Sequence, residues 1–303
     1  MRGVSSRTTT SLAALGAAAA GCLAWGAGVE VGSYRLRRAS APVLRPGQAP
    51  MTVLHLSDLH LTPARRREVA WVRALADLEP DLVVDTGDNL ASAAAVPVAL
   101  EALEPLLARP GAFVLGSNDY FGPRPANPAQ YLLGPSRQDR RREPLPTGDL
   151  VAALSAAGWA DLTNARARLS VAGRRVDLVG VDDPHLGLDR YLDVAGPADP
   201  DADLTVGVAH APYRRVLDAM TADGCDLLLA GHTHGGQLCV PGFGALVTNC
   251  DLPRSHAKGL HRWQRGRAST WLHVSAGLGT SPYARVRFAC PPEATLLTLV
   301  ART

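Results

Sequence analysis

The chain has 303 residues, of which 47% are hydrophobic and 19% are charged, and its formal net charge is +3. This composition predicts a globular chain and excludes an intrinsically disordered one. The weak charge excess, with no basic stripe interleaved with aromatic residues, gives no reason to expect nucleic-acid binding. The five cysteines show no C-x-x-C spacing, which argues against a thiolate metal site. A Cys239–Cys250 disulfide in an oxidising compartment is the alternative to buried free thiols.

An uncharged run of small and apolar residues extends from Ser11 to Val29, with arginines on both sides. Its length is at the short end of what crosses the hydrocarbon core of a bilayer. We expect residues 1–30 to form an N-terminal hydrophobic helix that anchors the chain in a membrane. A cleaved signal peptide with export and a buried soluble helix are the alternatives. The side of the membrane stays open, because arginines flank both ends.

Residues 31–50 contain proline and glycine and are predicted to form a linker, so the main folded domain is expected over residues 51–303. From Met51 onward, short apolar runs alternate with helical patterns, which is typical of an α/β fold. Strands are predicted over residues 51–56, 82–85, 112–115, 204–209 and 226–230, and helices over 65–78, 96–107, 148–157 and 213–221.

A hairpin turned at Gly173 is predicted to join residues 168–171 to 176–181. Residues 271–275 and 295–300 are expected to be late strands of a second sheet. The segment 121–147, rich in proline, glycine and arginine, predicts a long surface excursion.

Polar residues of metal-binding type directly follow the predicted strands. They are Asp58-x-His60, Gly87-Asp88-Asn89, Gly116-Ser117-Asn118-Asp119, His210 and Gly231-His232-Thr233-His234. Loops after the carboxyl ends of strands converge on one crevice in open α/β sheets. Carboxylate, imidazole and amide ligands suit Mn, Fe, Zn or Co. The pattern therefore predicts one metal centre assembled from distant segments.

The five motifs, in this order, resemble those of the calcineurin-like metallophosphoesterases: D-x-H, G-D-N, G-N-H-D, a single H and G-H-T-H. The likeness spans residues 54–299, and the segment from His232 to Gln237 further resembles the bacterial membrane-associated or exported branch. The resemblance implies a two-sheet αββα sandwich and two divalent metal ions. It implies that Asp88 bridges the ions, that Asp58, His60 and His234 complete one site, and that Asn118, His210 and His232 complete the other.

The resemblance implies a hydrolase of phosphoester bonds. Two cations about 3.5–4 Å apart can hold a shared hydroxide for in-line attack and neutralise the developing charge. No protein nucleophile is needed, and the sequence carries no G-x-S-x-G elbow. We expect a phosphodiester slightly more than a monoester, and lipid-linked or envelope phosphoesters as substrate partners. The alternative is a catalytically silent, metal-binding recognition scaffold.

The third motif departs from the family pattern. Aligned on Gly116 without a gap, Ser117 takes the ligand position and Asn118 the histidine position. Shifted by one residue, Asn118 becomes the ligand, which we prefer because an amide oxygen is a better neutral ligand than a hydroxyl. The family histidine is absent in both alignments, so Asp119 and His185 are the candidates for general acid, unless the leaving group needs none.

Overall fold

The computed structural model describes residues 4–125, 136 and 142–302. Two six-stranded β-sheets form the centre of the molecule. The first sheet has the order β1 (Arg35–Leu44), β14 (Glu293–Ala301), β2 (Met51–Leu56), β3 (Leu82–Asp85), β4 (Gly111–Phe113) and β5 (Ala160–Asp161). The second has the order β12 (Gly259–Arg265), β13 (Ala268–Val274), β9 (Leu227–Ala230), β8 (Leu204–Ala209), β7 (Arg174–Gly180) and β6 (Arg166–Val171). A short hairpin joins β10 (Cys239–Val240) to β11 (Gly244–Ala245).

Helices cover both outer faces of the paired sheets. The covering helices are α2 (Arg66–Ala74), α3 (Val96–Leu103), α5 (Thr147–Ala156) and α6 (Arg214–Ala222), while α1 (Val4–Gly28) precedes the first sheet and α4 (Ser117–Tyr120) is a single turn after β4. Successive strand residues point to opposite faces, so Val53 packs between the sheets while Leu54 packs against the cluster that contains α2, α3 and α5. On the other side, α6 buries Val216 and Met220 against the second sheet. The predicted α/β two-sheet sandwich is therefore present.

The strand directions bring the metal motifs to one edge. In the first sheet β2, β3 and β4 are parallel, and in the second β7, β8, β9 and β13 are parallel. The motif residues follow the last residues of β2, β3, β8 and β9 directly. Because the carboxyl ends of parallel strands open on a common crevice, four separate loops meet there.

The predicted linker over residues 31–50 is wrong, because Arg35–Leu44 forms strand β1, paired in parallel with β14 along its length. Ala41, Val43 and Leu44 are buried. Proline is tolerated here because β1 is the edge of its sheet and Pro42 lies where the register shifts. The folded domain therefore begins before Met51.

Two late strands, β14 and β12, also differ from the sequence prediction. Residues 271–275 overlap β13 of the second sheet, as expected, but β14 belongs to the first sheet, antiparallel to β2. Strand β12 was not predicted from the sequence, because its polar, alternating residues resemble a loop. Most of the predicted excursion over 121–147 lies outside the described residues.

The apolar N-terminal run forms helix α1. Within the part of the chain that the structure describes, no helix is both long and apolar enough to cross a membrane. The expected membrane-spanning segment is therefore not found, since the run is rich in alanine and glycine rather than leucine.

Removal of residues 1–44 tests whether β1 belongs to the fold. We expect a poorly soluble product, or one destabilised by about 5 kcal/mol or more, because burial of each large apolar side chain contributes about 1.5–3 kcal/mol and β14 would become an open edge. Soluble yield and the urea midpoint measure this effect. A shorter deletion of residues 1–20 is the control and should behave like the full chain. Equal midpoints for both deletions would restore the linker interpretation.

Candidate metal centre

The predicted ligands lie in tight loops at the carboxyl ends of the strands. Positive φ angles, which are uncommon outside glycine, occur at five of them: Asp58 at 53°, His60 at 43°, Asp88 at 59°, His232 at 68° and His234 at 49°. Backbone strain of this kind persists only where surrounding contacts enforce it, and it concentrates at functional sites. The shared conformation indicates that these positions belong to one functional site.

Asp58, His60 and His234 form the first group of ligand atoms. The Nε2 atoms of the two histidines lie 3.1 Å apart, and Asp58 Oδ1 lies 3.5 Å from His234 Nε2 and 4.0 Å from His60 Nε2. Asp58 Oδ2 accepts hydrogen bonds from Ser57 Oγ and from the backbone N–H of His232. The other oxygen, Oδ1, is buried and has no hydrogen-bond partner among the described residues.

Asp88 lies between the first group and a second one formed with His210. Its Oδ2 is 3.5 Å from His60 Nε2, and its Oδ1 is 3.5 Å from His210 Nε2. Asn118 donates from its side-chain Nδ2 to Asp88 Oδ2 at 2.7 Å and from its backbone N–H to Oδ1 at 2.7 Å, so its amide nitrogen, rather than the oxygen predicted as a ligand, faces Asp88. The position of Asp88 is the one that a bridging carboxylate requires.

Hydrogen bonds to backbone carbonyls set the tautomers of two histidines. In its neutral form His210 donates from Nδ1 to the Thr86 carbonyl at 2.8 Å and carries the lone pair on Nε2, a buried atom with no hydrogen-bond partner among the described residues. His232 Nε2 donates to the Asn249 carbonyl at 3.1 Å, which leaves its Nδ1 as the lone pair. The ring centroids of His210 and His232 lie 5.2 Å apart. Carbonyl partners of this kind orient histidines that bind metals.

The electrostatics of the site suit divalent cations. Burial lowers the pKa of His60 to about 4 and that of His234 well below its usual value, so both rings are neutral, as ligation requires. Burial raises the pKa of Asp88, but His210 and His60 outweigh it and hold that pKa below its usual range. Burial opposes charge on His210, but the carboxylates of Asp88 and Asp183 raise its pKa to about 9, so the metal-free ring is protonated and would release a proton when a cation binds. The orphaned atoms and this donor set together fit a pair of hard or borderline cations.

Asp119 holds the site loops together. Its carboxylate accepts backbone N–H bonds from Asp88 at 2.7 Å, Asn89 at 2.7 Å, Gly116 at 2.9 Å and Leu90 at 3.2 Å. The side chain is fully buried. This geometry does not fit the predicted general acid, because both oxygens are taken up by the backbone of the second and third motifs. These contacts are those of a residue that positions the site loops, and a catalytic role for Asp119 stays a prediction.

Replacement of Asp119 with asparagine separates the two roles. A carboxamide cannot accept all four N–H bonds, so we expect a stability loss of about 1–3 kcal/mol and cation affinity reduced about 10–100-fold. Urea denaturation and metal titration measure these changes, with exposed Asp149→Asn as the matched control. Intact stability and cation binding, with only turnover lost, would instead support the general acid.

His185 lies beside the second group. It follows β7, and its ring centroid is 4.5 Å from that of His232. Nδ1 is 3.1 Å from the Tyr213 hydroxyl, and Nε2 is 3.0 Å from Ser136 Oγ. Burial lowers the pKa of His185 to about 4. His185 thus lies beside the candidate metal centre, and its catalytic role stays a prediction.

One supporting residue was missed at the sequence level. Arg287 is fully buried and donates from Nη2 to the carbonyls of Ala276 and Gly279, both at 2.8 Å, while the same nitrogen lies 3.2 Å from His234 Nδ1. No sequence signal marks it, since its partners are backbone carbonyls and a histidine 53 residues away.

These features define the class of protein before any comparison: a two-sheet α/β fold with a candidate dinuclear metal site at the carboxyl ends of its strands. The sequence model of the calcineurin-like phosphoesterases matches residues 51–236. The chain belongs to this family, and it is a hydrolase that acts on phosphoesters.

Two bacterial proteins are similar over most of their length. Phosphodiesterase YaeI of Escherichia coli (strain K12) is 26% identical over 279 residues, which cover 89% of this chain and 90% of that protein. The uncharacterized protein YpbG of Bacillus subtilis (strain 168) is 26% identical over 259 residues, covering 82% and 84%. Among solved structures, the 5'-nucleotidase precursor from Thermus thermophilus aligns with a TM-score of 0.44 at 15% identity, over 84% of this chain and 55% of that chain.

Proposed function

We propose that this protein hydrolyses phosphodiesters with two divalent cations, one held by Asp58, His60 and His234 and the other by Asn118, His210 and His232, with Asp88 between them. The observation that carries the proposal is the position of Asp88, whose two oxygens face histidines of different groups at 3.5 Å each. The buried orphan atoms Asp58 Oδ1 and His210 Nε2 support it. Similarity to a phosphodiesterase over 89% of the chain favours diesters over monoesters.

Bound cations would supply an activated water and neutralise charge on the phosphoryl group. The residues of the chain hold the ligand groups in the required state and position. The rings of His60 and His234 are neutral, and the backbone N–H of Asn118 holds Asp88 in place. Because the site is buried, the electrostatic interactions inside it are stronger than in water.

Metal-dependent turnover is the test. The chelated, metal-free protein should hydrolyse neither bis-p-nitrophenyl phosphate nor p-nitrophenyl phosphate, and added Mn²⁺ should restore activity, with the diester cleaved faster. A faster monoester would overturn the diester preference alone. If the Mn²⁺-loaded protein hydrolyses neither compound, the interpretation as a catalytically silent recognition scaffold replaces the enzyme interpretation. The altered third motif, in which Asn118 contacts Asp88, is the feature that favours this alternative.

Lipid-linked or envelope phosphoesters stay a prediction about the substrate. Comparing the Mn²⁺-loaded protein on glycerophosphodiesters with and without acyl chains tests it. A clear preference for the acylated compounds supports the prediction, and equal rates contradict it.

We further propose that His185 donates a proton to the leaving oxygen. Its ring is buried beside His232, and the negative charge of a bound phosphoester would favour its protonated form. We expect His185→Gln to reduce kcat about 100-fold for diesters with alkoxide leaving groups, and little for p-nitrophenolate, which leaves without a proton.

The metal content of the His185→Gln variant is the internal control of this experiment. If His185 has a positioning or catalytic role, the variant still binds two cations. Equal losses on both leaving groups would contradict proton donation. Loss of a cation would make His185 a ligand instead.

A further inference from the structure

Two buried thiols lie directly behind the loop that carries His234. The N–H of Cys239 donates to the Phe288 carbonyl at 2.8 Å, which brings β10 beside the segment that leads to Cys290. Cys239 and Cys290 are buried free cysteines of one small apolar cluster. Both sulfurs also contact the Gly235 carbonyl, at 3.2 and 3.4 Å. The pairing differs from the Cys239–Cys250 alternative considered from the sequence.

The thiol pair is tightly coupled to a predicted metal ligand. Cys290 Sγ lies 3.3 Å from the His234 carbonyl. Gly235 has a φ of +63°, and a Cβ atom at that position would lie 2.7 Å from Cys290 Sγ. Cys290 Sγ is therefore in close contact with the backbone of Gly235, so a displacement of Cys290 must move the backbone that follows His234.

The pair lies beside an open cavity of about 650 Å³, which Cys239 and Gly235 line together with Lys258. A small reagent can therefore approach Cys239 from this cavity. The Lys258 ammonium lies 3.4 Å from Cys290 Sγ. Cys225, by contrast, lies in the apolar cluster beneath α6.

We propose that Cys239 and Cys290 form a reversible disulfide on reaction with a small-molecule disulfide, and that this bond weakens cation binding on the His234 side. One cysteine attacks the reagent and releases one thiol; the other attacks the mixed disulfide and releases the second. Two cysteine thiols are thereby oxidised while the reagent is reduced to two thiols. The sulfurs must approach to about 2.05 Å, and loss of both S–H groups removes the thiol hydrogen bonds to the carbonyls of the His234–Gly235 segment. The effect on cations rests on the proposed function; formation of the bond does not.

The experiment uses the full chain loaded with Mn²⁺ and incubated with glutathione disulfide. We expect peptide mass mapping to find a Cys239–Cys290 cross-link, and metal analysis after desalting to find one of two cations lost, consistent with an affinity reduced about 10–100-fold. Dithiothreitol with added Mn²⁺ should reverse both changes. Cys290→Ser and Cys239→Ser should show neither change, whereas Cys250→Ser, the matched control, should respond like the wild type.

The wild-type protein alone can refute the proposal. Stable glutathione adducts without a cross-link, or a cross-link to Cys250, would overturn the assignment of the pair. A mapped Cys239–Cys290 bond with unchanged cation content would overturn the control of the metal site. If the reduced protein binds no cation at all, the proposed function fails, and peptide mapping still decides whether the disulfide forms.

Discussion

Replacing Asp88 with alanine is expected to release both cations and to lower kcat/KM for bis-p-nitrophenyl phosphate about a thousandfold or more, which corresponds to about 4 kcal/mol of transition-state stabilisation. Asp88 contacts His60 and His210 from opposite oxygens, so its loss affects both groups of ligands together. Loss of a peripheral ligand should remove only one cation. Metal analysis of the purified variant and steady-state kinetics with added Mn²⁺ measure the two effects.

Two further variants make this result specific. Asp201→Ala removes a carboxylate that is 83% exposed, and should retain both cations and full activity. Asp88→Asn keeps the shape of the side chain but not its charge, and should resemble Asp88→Ala if bridging needs a carboxylate. Two cations in a folded Asp88→Ala protein would disprove the bridging role.

The metal-free protein is expected to lose stability as the pH falls below about 6.5. His55 on β2 and His273 on β13 meet between the two sheets with their Nδ1 atoms 2.7 Å apart, and both are buried. Burial lowers the pKa of His55 well below its usual value and that of His273 to about 3. The unfolded chain, with a histidine pKa of about 6.5, binds more protons below that pH, so acid favours unfolding until the pH reaches the folded-state values.

Each histidine contributes up to about 1.4 kcal/mol per pH unit in that window, so the pair contributes up to about 2.7. Urea denaturation at pH 7.5, 6.5 and 5.5 measures the slope. The double variant His55→Gln, His273→Gln removes both groups while leaving the metal-site histidines, and its slope should be shallower by this amount. Identical slopes would show that the pair is not the source of the acid sensitivity.

Local chemistry in the chain was sufficient to predict the strands that carry the site. Strands β2, β3, β8 and β9 are short apolar runs that end at a polar ligand motif, and each was predicted to within one residue. Strand β1 was missed because its arginines and Pro42 resemble a linker, and only its pairing with β14, where Glu293 lies 258 residues after its partner Arg35, makes it a strand. Pairing between distant segments depends on which edge the fold leaves open.

The metal centre shows the same division. The sequence by itself determined which residue types follow each strand, and so the donor chemistry of Asp58, His60, Asp88, His210 and His234, because ligand identity is local to a motif. Only the tertiary structure decided what Asp119 does, since its four N–H partners come from two different loops. The same holds for Arg287 behind His234 and for the Cys239–Cys290 pair. These contacts join residues far apart in the chain, and packing of the two sheets, rather than any local pattern, brings them together.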